Sequence, residues 1–75
     1  MITDDEFRFQ KQMAELIKER RVSADLTAED LAEKAGVSLS TVYGAENASR
    51  STTIWVLAKF AKVLKCQIDL LIPQV

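Results

Sequence analysis

The residues of this chain that could do chemistry are hydrogen-bonding types, while catalytic types are nearly missing. Its 75 residues include no histidine and one cysteine, Cys66. That leaves no nucleophile–base arrangement, no zinc ligand set and no internal disulfide, and no cofactor is expected. No phosphate-cradling glycine loop is present either, so an enzyme is not expected. The informative stretch is Leu31 to Glu46, LAEKAGVSLSTVYGAE. It reads as two short helices joined by a tight turn at Gly36, an arrangement that lets the second helix project into a DNA major groove. Small or apolar residues fall where crossed helices must touch: Leu31, Ala32 and Ala35 before the turn, Val37, Val42 and Ala45 after it. Gly36 stands where the chain must leave a helix through a left-handed conformation. The chemistry on offer is recognition, yet the second helix carries no arginine or lysine.

These groups must be positioned by a single domain, residues 1–75. A chain this short buries only about 60% of its unfolded surface, so dimerisation is a common remedy. With 48% hydrophobic and 28% charged residues it is too apolar for disorder, and two glycines and one proline favour helices over a meander of strands. No apolar run approaches membrane-spanning length, and the acidic start (Asp4, Asp5, Glu6) is the opposite of a signal peptide; a cytoplasmic protein without membrane contact is expected. The net charge of −1 argues against strong independent affinity for nucleic acid.

The spacing predicts an all-α fold of four or five elements. Residues 4–22 form one long helix with two adjacent stripes, Phe9, Met13, Leu16 and Arg20 beside Gln10, Ala14, Ile17 and Arg21. Acids at its start and Lys18, Arg20 and Arg21 at its end both suit the helix dipole. Thr27 caps a second helix, with Asp30 three residues on as a short-armed capping box, and Ser38 caps a third. NASRSTT, residues 47–53, is a polar loop, and Thr52 or Thr53 caps a fourth helix from Ile54 to about Lys65.

That fourth helix is apolar over more than half its circumference, with Lys59 and Lys62 beside Trp55 as its polar strip. One face against a small core needs an arc of only about 100°. Either the long first helix covers the surplus or a second subunit does, through Val56, Phe60 and Val63. The terminal segment favours the subunit: Cys66, Ile68, Leu70 and Ile72 alternate with polar Gln67 and Asp69, a period of two that predicts a strand over 66–72. No other strand is available, so Ile68, Leu70 and Ile72 are expected to pair across a homodimer. Trp55 reads as a partner anchor or as core, and Cys66 as a buried small hydrophobe.

From Arg21 to Leu64 the pattern resembles the Cro/lambda-repressor-type (XRE) helix-turn-helix family. The resemblance rests on Arg21, Leu26-Thr27, Leu31-Ala32, Gly36-Val37-Ser38, Thr41-Val42, Glu46 and the Ala61–Leu64 segment, all without a gap. Within it, the Glu46-Asn47 pair, the loop ending Ser-Thr-Thr, the apolar fourth helix and the terminal strand look most like HipB-type antitoxins. The resemblance implies a homodimeric DNA-binding repressor, with a cognate toxin as a further partner. It places Thr27 at a DNA phosphate and puts Ala28 where the family commonly has a bridging glutamine. It turns Ser38, Leu39, Ser40, Tyr43 and Gly44 toward the duplex; serine suits either kind of base edge and Leu39 a thymine methyl. Gly44 reads as a close approach of backbone to DNA or a partner, or as a tolerated surface residue. Ala48 replaces the family's usual glycine after the third helix, which makes Asn47 the substitute for the left-handed position. Asn47, Ser49 and above all Arg50 are the remaining phosphate contacts, while Arg21 and Glu46 form a structural ion pair. Together these imply a regulator that recognises double-stranded DNA. The alternative, favoured by Ala28, Gly44 and the acids Glu29, Asp30 and Glu33, is a protein-interaction module of the same fold.

Overall fold

The computed structural model describes residues 3–49 and 52–73. Four α-helices follow one another, α1 (Asp4–Ser23), α2 (Ala28–Ala35), α3 (Leu39–Glu46) and α4 (Ile54–Leu64), and a short 3₁₀ turn (Ile68–Leu71) closes the described segment. Each α-helix starts on a threonine or serine whose hydroxyl accepts an amide three residues on: Thr3 from Glu6, Thr27 from Asp30, Ser38 from Thr41 and Thr53 from Val56. These caps satisfy donors that a helix cannot satisfy itself. No described helix is long and apolar enough to cross a membrane.

The core is drawn from every element. Ile17 of α1, Leu31 of α2, Val42 of α3, Phe60 of α4 and Leu71 of the terminal turn are all fully buried. Met13, Ala14 and Ile17 are the buried residues of α1, which therefore turns parts of both predicted stripes inward. At about 25 cal/mol per Å², burying each large apolar side chain contributes roughly 1.5–3 kcal/mol.

Three expectations need correction. The terminal segment is not a strand: Leu70 N–H bonds to the Gln67 carbonyl at 3.0 Å and Ile72 N–H to that of Asp69. Among the described residues there is no strand for it to pair with. Coiling gives 66–72 local partners and drives Leu71 into the core, while Leu70 is left exposed. Phe60, expected at a dimer interface, is fully buried within the protomer and has no surface to offer a partner. The apolar surplus of α4 has a matching explanation, because α2, the terminal turn and α1 all pack against it. Only Ile54 and Trp55 are left as large exposed hydrophobics of this helix. Finally, Asn47 keeps a right-handed backbone, and Ala48 itself takes the left-handed position at φ 55°.

Candidate nucleic-acid interface

Helices α2 and α3 form the unit that would meet DNA. The turn between them is a left-handed exit at Gly36, φ 71°, with Gly36 N–H bonded to the Glu33 carbonyl and Val37 N–H to that of Ala32 at 3.0 Å. Nothing would crowd a Cβ at Gly36, so its requirement for glycine is conformational and not steric.

At the start of α2 the capping box is reciprocal. Thr27 Oγ1 accepts the Asp30 amide, and Asp30 Oδ2 accepts the Thr27 amide, both at 3.0 Å. The bond from the Thr27 amide, then that from its side chain, holds the Asp30 carboxyl below the usual carboxylate range. An acid therefore already occupies part of the helix end where a phosphate would dock. At the start of α3, Ser38 Oγ accepts the Thr41 amide at 3.1 Å and lies 2.8 Å from Thr41 Oγ1. Its hydroxyl is shared between capping α3 and any external contact.

The other expected contact residues divide by burial. Thr27, Ser38, Ser40, Tyr43, Asn47 and Ser49 are exposed. Leu39 is half-buried and packs against the core, which leaves part of its side chain for an outward contact. Ala28 and Gly44 are corrections. Ala28 belongs to the core cluster, since an alanine in the first turn of α2 reaches inward and not to a backbone phosphate. Gly44 is buried, and its carbonyl accepts the Ser49 amide at 3.2 Å where the chain reverses after α3, so it is not a point of approach for DNA. Arg50, the first choice for a phosphate contact, lies outside the described residues.

The end of α3 is anchored from behind. Arg21 Nε donates to Glu46 Oε2 at 2.7 Å and the second guanidinium arm to Glu46 Oε1 at 3.0 Å, a bidentate fork. A third donor reaches the Leu26 carbonyl at 2.8 Å. Both side chains are largely withdrawn from solvent, at 13% and 5% exposure, and the hydrogen bond to Glu46 raises the Arg21 pKa. One guanidinium thus ties α1, the connection to α2 and the end of α3 into a fixed frame. Among the described residues no group of acids and cysteine could hold a metal ion.

The helix-turn-helix family model HTH_3 matches residues 17–71, from the middle of α1 through the terminal turn. The chain belongs to this helix-turn-helix family. That membership supports DNA binding and transcription regulation, and solved structures agree on the fold. The restriction-modification controller protein C.AhdI from Aeromonas hydrophila superposes with a TM-score of 0.80 at 26% identity, over 83% of this chain and 94% of that one. The N-terminal DNA-binding domain of SinR from Bacillus subtilis gives 0.80 at 28% identity, over 85% and 94%. HppE gives 0.76 at 32% identity, but the match spans 85% of this chain and only 36% of that one. No curated protein sequence matches significantly.

Three of the expected dimer residues line two different grooves. Val63 lines a groove with Lys34 and Trp55, whereas Leu70 and Ile72 line another with Leu16 of α1. Sequence reasoning missed this second groove because its two walls are some fifty positions apart and only the turned conformation of 68–71 brings them together. The exposure of Leu70, at 44%, follows from the same turn.

Proposed function

We propose that this protein is a homodimeric repressor that acts in the cytoplasm, setting one α3 from each copy into successive major grooves of a pseudo-palindromic site. The observation that carries this reading is the exposed, rigidly backed surface of α3: Ser38, Ser40, Tyr43 and Asn47 face outward from a helix whose far end is held by the Arg21–Glu46 fork. Thr27 caps the preceding helix, and Ser49 and Arg50 follow the end of α3 in sequence. Within Leu39–Glu46 no side chain is an arginine, glutamine or asparagine that could read a base by two hydrogen bonds, so specificity leans on DNA shape and apolar contact, with Leu39 against a thymine methyl. Two copies would present their reading helices about 34 Å apart.

The dimer surface that fits is the outward side of the terminal turn with the adjoining face of α1, around Leu16, Leu70 and Ile72. Truncation at Cys66 is a poor test of it, since that would remove Leu71 from the core; Leu70→Glu leaves the core intact. An antitoxin role, with a cognate toxin as partner, draws on the Glu46-Asn47 pair, the polar loop and the apolar fourth helix, because the terminal strand that would have strengthened it is a 3₁₀ turn. A mobility-shift titration tests the proposal, comparing a duplex from upstream of the protein's own gene with a random duplex. Tighter, salt-sensitive binding to the first is expected, together with halving of the solution mass in Leu70→Glu. Absence of salt-sensitive binding to either duplex overturns the DNA reading; an unchanged dimer in Leu70→Glu overturns the interface.

A further inference from the structure

We infer that the groove between the end of α2 and the outer face of α4 docks an acidic segment of another protein, seated by an apolar or aromatic side chain. The groove has a volume of about 630 Å³ and is rimmed by four lysines, Lys34, Lys59, Lys62 and Lys65. None of the residues lining it is acidic, in a chain whose acids outnumber its bases. Its floor is apolar, formed by Ala35, Ala58 and Val63 beside Trp55. Trp55 is 68% exposed, and Lys59 Nζ stands 5.3 Å from its ring centroid, a cation–π contact that holds the indole at the rim. An isolated exposed tryptophan is a large apolar surface left in water, and tryptophan is among the residues that most often dominate interface energetics.

The chemistry favours carboxylates on a peptide over phosphates on a nucleic acid. Lysine ammonium groups pair with phosphates as well as with carboxylates, so it is the apolar floor beside them that makes the choice. Lys34 lies in the last turn of α2, Lys62 in the last turn of α4 and Lys65 caps it, while Trp55 stands in the first turn of α4, so the lysines line the floor along that helix. The apolar floor would be wasted on a phosphate backbone but accepts an aliphatic or aromatic anchor. The lysine rim would steer and orient an acidic segment while Trp55 and the floor hold it.

Trp55 is the sole tryptophan, so its emission reports the groove directly. The probe is the synthetic peptide Glu-Glu-Glu-Phe-Leu-Glu-Glu-Glu, compared with its lysine-for-glutamate counterpart, single-stranded oligothymidine and a random duplex. The acidic peptide alone is expected to give a saturable blue shift. Its affinity should weaken at least about tenfold in about 0.5 M salt and in Lys59→Glu/Lys62→Glu, a variant confirmed as folded by circular dichroism. No saturable shift up to about 1 mM peptide, equal binding by the double variant, or a shift produced by DNA and not by peptide would each overturn the inference. Mobility shifts on the same preparation keep its failure distinct from failure of the DNA reading.

Discussion

At the scale of single residues, two positions carry conformational or titration energy that can be measured. Ala48 adopts φ 55° after α3, where a Cβ is disfavoured by about 1–2 kcal/mol. Ala48→Gly relieves that strain at some cost in unfolded-state entropy, so it is expected to stabilise the fold by about 1 kcal/mol in chemical denaturation. Asp30 gives the pH dependence. Its carboxyl titrates lower in the folded chain than in the unfolded one, because the Thr27 amide bonds to the charged form. The unfolded state therefore binds the proton first as pH falls, so stability is full above the usual carboxylate range and declines as pH drops through about 4 and below. Asp30→Asn should flatten that part of the stability–pH curve, measured by thermal melts between about pH 6 and pH 3.

Elements, and the contacts that lock them together, determine whether α3 can serve as a reading helix at all. The Arg21–Glu46 fork joins three segments, so removing one charge strands the other in a site largely closed to water. Glu46→Gln is expected to cost about 2–3 kcal/mol and lower the melting temperature by about 10 °C or more, with duplex affinity falling as the end of α3 loosens. Replacing both residues by apolar ones of similar size should recover part of the stability but not the affinity. Legibility in the sequence follows the same division. Caps and helix-face spacing are local rules, so Thr27, Ser38 and Thr53 mark helix starts that the structure shares. The terminal segment failed that kind of reading. Alternation over 66–72 is a true feature of the sequence, but a strand needs a neighbour, and the 3₁₀ turn wins by supplying its own hydrogen bonds and placing Leu71 among Ile17, Leu31 and Phe60. Ala28 and Gly44 misled for a related reason. Family position suggests an outward face, while burial is decided by how the chain reverses after α3 and how α2 seats on the core.

For the whole molecule, the distribution of charge sets how DNA binding should respond to salt. No cation stands on α3, Arg21 is committed to Glu46, and four lysines gather at the α2–α4 groove. Of the other five cations of the chain, Arg8, Lys11, Lys18 and Arg20 lie on α1 and only Arg50 follows the reading helix in sequence. Between about 50 and 200 mM salt, duplex affinity is expected to fall by about 10- to 100-fold, well short of the 10³–10⁵ typical of proteins with many phosphate contacts. A steep dependence of that latter size, measured by fluorescence anisotropy, would place the groove lysines on the duplex.

The seat of Leu71 in the core also bears on the order of events at the ribosome. Ile17 is among the first core residues to be synthesised and Leu71 among the last, yet α1 packs against the terminal turn. The core face of α1 must wait, partly uncovered, until Leu71 has emerged. The fold therefore closes through a contact between sequence-distant elements, which slows folding relative to a bundle built from neighbours alone.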